Sequence, residues 1–548
     1  MPDALTWVFD VMPRIVVAIQ VTAKASAPGL GSMLMAMTSL ARGPPSDGVS
    51  RSASTGACRS PDPPGDTEVT GVAPAQTVGL VSDPDSAGAG VTVPVTDDVF
   101  RQPLGHRERD ARPGRCELTV TPPRATKSGA IGLWGVVAIG VGGMVGGGIF
   151  AVLGLSVQIA GGGAPIAFLL AGLVALLTAR SYALLSRSYP SRGGTVTFIN
   201  RAFGAGLFAG GINVLLWLSY IVMLALYAAA FGSYAASFLP ESSRGLGKHL
   251  FLTGIVVLIA GLNAAGASAV ARTERPVVAI KLAILILFIA VGMGSVSTAR
   301  LAPDQWSPPL SLIAGGMIIF LAYEGFELIA NAAEDVADPG RTLTRAYYIS
   351  VGFVMVLYVL VAVVAVGSVP IPQLVDARDY ALAVAARPAL GSAGFTLIAL
   401  AAMLSTASAI NATLYGSARM TYTIAKSREL PAELERRIWN QPLEGLFITA
   451  VATIVLANLL NLESISTMGS AGFLIVFAAV NVAEARTAGE RGSAPWISLM
   501  AALACAGALV ALLVLSSLWA VSVFAAMVAV SFGIEATFRR VTRKGFQA

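Results

Sequence analysis

Two long apolar stretches of this chain are interrupted near their centres by residues that suit a membrane helix badly. The first begins at Ile131 and ends Val145-Gly-Gly-Gly-Ile-Phe150, with Gly146, Gly147 and Gly148 in a row. The second reads Ile318-Ile-Phe-Leu-Ala-Tyr-Glu-Gly-Phe-Glu327 and sets Glu324, Gly325 and Glu327 inside an apolar run. Each glycine in a helix interior costs about 1 kcal/mol relative to alanine. A bilayer penalises unpaired backbone groups as well, so an interrupted spanning helix survives only where it lines a cavity within the protein. Two such helices in matching positions of two halves mark the binding site of a secondary transporter. That is the expectation this pattern sets.

The rest of the composition agrees with a membrane protein. Only 12% of the 548 residues are charged and 55% are hydrophobic, against about 25% charged in soluble domains. A formal charge of +6 raises the question of nucleic acid. The basic residues sit in connections between spans and follow the positive-inside pattern, so no nucleic-acid partner is expected and the lipid bilayer is. Cys58, Cys116 and Cys505 match neither a disulfide framework nor a zinc site. The two histidines, His106 and His249, fall in a tail and a loop. No cofactor or metal is implied.

Residues 1–126 form a different kind of sequence, rich in Pro, Gly, Ser, Asp and Arg. Such a segment buries too little apolar surface to fold, and it reads as a disordered cytoplasmic tail. Leu5 to Val21 contains Asp10, Pro13 and Arg14 and makes a poor signal peptide and a poor span. An alternative reading is a start placed too far upstream, with the natural chain beginning nearer Thr119. The transporter domain is expected over 127–540, followed by a short cytoplasmic tail at 541–548.

Twelve spans are expected, at about 131–156, 163–186, 204–238, 249–267, 276–296, 309–332, 346–368, 390–424, 443–461, 464–484, 495–515 and 518–536. One set of alternate connections carries most of the basic residues, among them Arg187, Arg192, Arg201, Arg341, Arg345, Arg436, Arg437 and Arg539. The other set carries Arg244, Lys248, Arg300, Arg378 and Arg387. This asymmetry puts both termini in the cytoplasm. Spans one and six each open a unit of five helices. Because five is odd, the second unit starts from the opposite side of the membrane, which makes a 5+5 inverted repeat with its broken helices facing each other. The fold class is therefore an all-α membrane protein.

These segments resemble the amino acid–polyamine–organocation permease superfamily. The resemblance rests on Gly146-Gly-Gly-Ile-Phe150 and on Tyr189-Pro-Ser-Arg-Gly-Gly194 after the second span. It rests further on Tyr323-Glu-Gly-Phe-Glu327 with Glu334-Asp-Val-Ala-Asp-Pro339, and on Ser405-Thr-Ala-Ser-Ala-Ile-Asn411 in the eighth span. It covers about 128–540 and implies a leucine-transporter-like fold and a permease for amino acids or related amines. A departure stands at Leu184, where the family usually has a glutamate.

The glycines of the first break free N–H groups at the start of a half-helix, whose positive end suits an anion; close packing through small residues is the bland alternative. By resemblance, Gly147 and Gly148 would hold a substrate carboxylate, with Gly146 shaping the break. The carbonyls of Met144, Leu321 and Glu324 would take the ammonium, beside Tyr323 and Gly325. Leu321 departs from the many exchangers with an aromatic at that point. Trp217, Tyr220 and Tyr227 in span three read as packing residues rather than ligands.

A carboxylate at membrane depth is costly and functional by default. Glu327 reads either as a coupling residue or as a structural acid tying down the unwound segment. Glu324 would tune the site toward cationic substrates or take up a proton. Lys281 stands in the apolar run Val277-Val-Ala-Ile-Lys-Leu-Ala-Ile284. By resemblance its ammonium replaces the sodium ion of sodium-coupled relatives, with Ser405 and Thr406 as its contacts. The alternative is an interfacial anchor. In the first role Lys281 gives sodium-independent transport, and a change in its own protonation would couple flux to protons. Proton symport and exchange both stay open, as does a polyamine or cationic amino acid substrate. A non-transporting sensor on the same fold lacks a visible signalling domain here. A membrane enzyme lacks recognisable motifs.

Overall fold

In the computed structural model, residues 131–264, 269–426 and 443–545 are described. The tail expected at 1–126 lies outside them. The described residues are helical throughout, joined by turns and two isolated backbone bridges.

The first span is two helices, α1 (Leu133–Met144) and α2 (Gly148–Ala160), bent by 48°. Then come α3 (Ala164–Ser188), a short amphipathic α4 (Gly194–Phe203), α5 (Leu207–Ala236), α6 (Glu241–Ala264) and α7 (Ala269–Gly292). The sixth span is again broken: α8 (Pro309–Ile318), one 3-10 turn at Phe320–Tyr323 and α9 (Leu328–Asn331), bent by 49°. The chain continues through α10 (Pro339–Ser368), short helices α11 (Ile371–Asp376) and α12 (Ala381–Ala385), and α13 (Arg387–Lys426), kinked at Gly391. It finishes with α14 (Leu443–Leu459), α15 (Leu462–Arg491), α16 (Pro495–Leu515) and α17 (Leu518–Gly545).

Among the described residues, nine helices are long and apolar enough to cross a membrane, and eleven spans result when each bent pair counts once. The expected span at 443–461 is the 17-residue α14. At 1.5 Å per residue it reaches about 25 Å, short of the ~30 Å hydrocarbon core. The last helix runs on to Gly545, so the expected tail at 541–548 is helical through that residue. Prolines 165, 309, 339 and 495 stand in the opening turns of α3, α8, α10 and α16. There a missing N–H leaves no helical bond unmade.

Among the described residues the most buried spanning helix is α5, covered along nearly its whole length from Ala209 to Ala236. Its residues are apolar on every side, as a helix surrounded by others requires. The broken spans run antiparallel beside one another. Ile131 at the start of α1 pairs with Val336 beyond α9, through Ile131 N–H to Asp335 O (3.0 Å) and Ala337 N–H to Ile131 O (2.9 Å). At the opposite end Gly161, just after α2, pairs with Trp306, just before α8. Each end of one broken span is thus fixed to the opposite end of the other, which brings the two breaks level.

Candidate functional site

The two breaks touch through backbone. A Cβ added to Gly143 would lie 2.7 Å from the Gly325 carbonyl oxygen, and one added to Gly148 would lie 2.6 Å from Ala322 Cα. Gly325 has φ +115°, a conformation only glycine adopts without strain. A side chain there would also run into the backbone of Gly143. The first break occupies Val145–Gly147, and Gly148 already opens α2. As the first residues of a helix, Gly148 and Ile149 have no intrahelical acceptor for their N–H groups.

Hydroxyl donors tie the exposed carbonyls of both breaks. Tyr358 on α10 donates to Met144 O (2.7 Å) and sits 3.2 Å from Ala322 O, so one phenol bridges the two spans. Ser405 on α13 donates to Val145 O (3.2 Å) and also contacts Gly146 O. Ser466 and Ser470 on α15 donate to Ile318 O at 2.5 and 3.1 Å, and Ser470 accepts from Leu321 N–H. Unwound backbone in a lipid setting needs such partners.

Lys281 is 1% exposed and donates to Gly142 O at 3.2 Å. It therefore does not snorkel to an interface. Lys281 and Ser405 hold carbonyls of the same stretch, Gly142 on one side and Val145 with Gly146 on the other. Thr406 differs from the expectation: its hydroxyl donates to Ala402 O (2.7 Å) and Met403 O (3.1 Å) within its own helix. Its methyl group packs on Gly147, 2.8 Å from where a Cβ would stand. A threonine one turn above a carbonyl closes that bond readily, which takes it away from Lys281.

The two glutamates meet despite the positive-φ glycine between them. Glu327 accepts from Gly325 N–H on Oε2 (2.7 Å) and from Tyr220 Oη–H on Oε1 (2.9 Å), and is 1% exposed. Glu324 is 4% exposed and reaches hydrogen-bonding range of Glu327.

A cleft opens beside the breaks. Its walls include Gly142, Gly143, Tyr220, Tyr227, Glu324, Gly325, Asn331, Ser408 and Thr413. Of the site residues expected from the sequence, Glu324 and Gly325 line it, as do Tyr220 and Tyr227, which were read as packing; Met144, Gly146, Gly147, Gly148, Leu321, Tyr323, Lys281, Glu327, Ser405 and Thr406 are not part of its wall. Leu321 packs on Gly469, and Tyr323 donates to Phe168 O (2.8 Å) with its ring 5.2 Å from that of Tyr358. Tyr227 takes the space beside Gly147, where a Cβ would strike its ring. Sequence reasoning treated Tyr220 and Tyr227 as packing and passed over Tyr358. A tyrosine in an apolar span carries no mark that tells a filler from a clamp. Trp217 does pack, with its indole N–H on Thr449 Oγ1 at 3.3 Å.

Comparison with known proteins identifies the family. The family model described as amino acid permease matches residues 131–532. The chain is 36% identical to an uncharacterised protein of Methanocaldococcus jannaschii over 77% of its own length and 98% of that protein's. It is 38% identical to the inner membrane transport protein YbaT of Escherichia coli, over 65% and 83% of the two chains. It is 28% identical to the methylthioribose transporter of Bacillus subtilis, over 63% and 78%. The match takes in both breaks, Lys281 and the α13 serine, so the chain belongs to the amino acid permease family and is a multi-pass membrane transporter.

Proposed function

We propose that this transporter moves α-amino acids or closely related amines across the cytoplasmic membrane without sodium, by proton symport or by exchange. The proposed frame is twelve spans in a 5+5 inverted repeat with both termini cytoplasmic. The observation that carries the reading is the meeting of two antiparallel broken helices, with a buried ammonium already bonded to the carbonyl of Gly142. A helix start at Gly147 and Gly148 suits a carboxylate. Nearby carbonyls suit an ammonium: those of Met144 and Leu321 each keep a lone pair beyond Tyr358 Oη–H and Glu324 N–H. Lys281 supplies a fixed positive charge where a bound cation would otherwise be needed. The cleft extends from the breaks to Asn331, on the side of the molecule that carries Arg192 and Arg341, and Glu324 stays buried in it, which supports an occluded state whose way out lies on that side.

Glu324 favours a second substrate class, because its carboxylate side chain lines the cleft. Cationic amino acids and polyamines would find a partner there. Uptake by proteoliposomes of a radiolabelled panel (neutral, acidic and basic amino acids, and putrescine) at two pH values separates the readings. Accumulation of neutral amino acids supports the first, and selective accumulation of arginine or putrescine supports the second. Failure of every compound to accumulate or exchange removes both.

A further inference from the structure

Glu324 and Glu327 touch, yet the protein treats them differently. Both oxygens of Glu327 are taken, one by Gly325 N–H and one by the Tyr220 hydroxyl. Among the described residues no N–H or O–H group donates to Glu324. It has Glu327 as its side-chain neighbour and otherwise faces the cleft. Two carboxylates in contact repel, and an apolar site that gives one of them no donor leaves it without replacement for its lost hydration. A single proton resolves both difficulties. Glu327, held by two donors, still has lone pairs to accept a third; Glu324 becomes the donor.

We propose that Glu324 carries the coupled proton. Its carboxyl oxygen binds a proton from water on one side of the membrane, and the O–H donates to Glu327 while the site is closed. When the cleft opens to the cytoplasm the O–H bond breaks, the proton passes to cleft water, and Glu324 is left as a carboxylate that water can solvate. No oxidation or further reactant is involved. Glu327 remains a fixed acceptor throughout. The inference rests on the permease reading above, and it selects symport over obligatory exchange.

The surroundings suit this division. Among the described residues, Tyr220 and Tyr227 from α5, Tyr182 from α3 and Tyr347 from α10 are the ionisable neighbours of the pair on other helices. Lys281 from α7 bonds the carbonyl of Gly142, which lines the same cleft, and so sets a positive charge behind that wall. The groups facing the cleft from α1 and α13, such as Gly143, Ser408 and Thr413, do not ionise near neutrality. Lys281 lies behind the wall, bonded to backbone, which fits a fixed charge better than a shuttle.

Two readouts test the proposal on the full-length purified protein. Infrared difference spectra between about pH 5 and about pH 9 need no substrate. A protonated-carboxyl band should appear in the wild type and in Glu327→Gln, and be lost in Glu324→Gln. Persistence of that band in Glu324→Gln, or its loss in both variants, overturns the assignment. In proteoliposomes, uptake of whichever labelled amino acid the wild type accumulates best should rise severalfold with an inward proton gradient. Glu324→Gln should lose that rise and Glu324→Asp should keep part of it. A rise in Glu324→Gln equal to that of wild type overturns the proposal. A wild type that transports no amino acid or amine fails the permease reading instead, while the infrared assignment is judged separately.

Discussion

Single residues close the contacts that let two broken helices exist inside a membrane. Tyr358 gives one phenol to two spans, near Met144 O and Ala322 O. Tyr358→Phe keeps the ring contacts with Phe168 and Tyr323 and leaves those carbonyls short of a donor. A loss of about 1–3 kcal/mol is expected, read as a lower unfolding midpoint in detergent. An unchanged midpoint would show that water replaces the phenol. Gly147→Val puts methyl groups into the Tyr227 ring and against Thr406. Amino acid binding by the purified variant should be lost, and wild-type affinity would remove Gly147 from the site. The residues the sequence revealed are those that look wrong for their surroundings: consecutive glycines, paired acids, a lysine in a run of isoleucine and leucine. Tyr358, Ser466 and Ser470 stayed hidden, because a hydroxyl in an apolar helix is chemically ordinary until its partner is known.

At the scale of elements, the breaks were legible because only a few residue types tolerate them. Gly325 at φ +115° against the backbone of Gly143 is the tightest example. Gly325→Ala brings both a strained conformation and a backbone collision, and should cut the yield of folded protein more than Gly416→Ala in α13, where an added Cβ meets nothing within 4 Å. Equal yields would mean that the sixth span adjusts freely. Helix ends were less legible. The short α11 and α12 and the early start of α6 at Glu241 follow from tertiary packing more than from hydropathy. The half-buried contact of Lys248 with Asp379 (2.5 Å), joined by Ser233, belongs to the same group: a loop charge assigned to orientation proves also to fasten α6 to the connection after α10.

For the whole molecule, hydropathy gave the class of protein, and the family match covers residues 131–532. Removal of residues 1–118 is expected to leave insertion and uptake intact, since a polar segment of this composition adds little packing; loss of uptake in correctly inserted truncated protein would contradict that. Substrate identity was not legible, because the contacts proposed for the carboxylate and ammonium are backbone groups that any sequence provides. The measurement closest to the centre of the proposal is labelled amino acid uptake by proteoliposomes with sodium replaced throughout by choline, for wild type and Lys281→Ala. Wild-type uptake should be equal in both salts. Lys281→Ala should fall about tenfold or more, as loss of a buried charged donor worth about 1.5–3 kcal/mol implies. Wild-type uptake that needs sodium, or a Lys281→Ala variant that transports as well as wild type, would contradict the role given to Lys281.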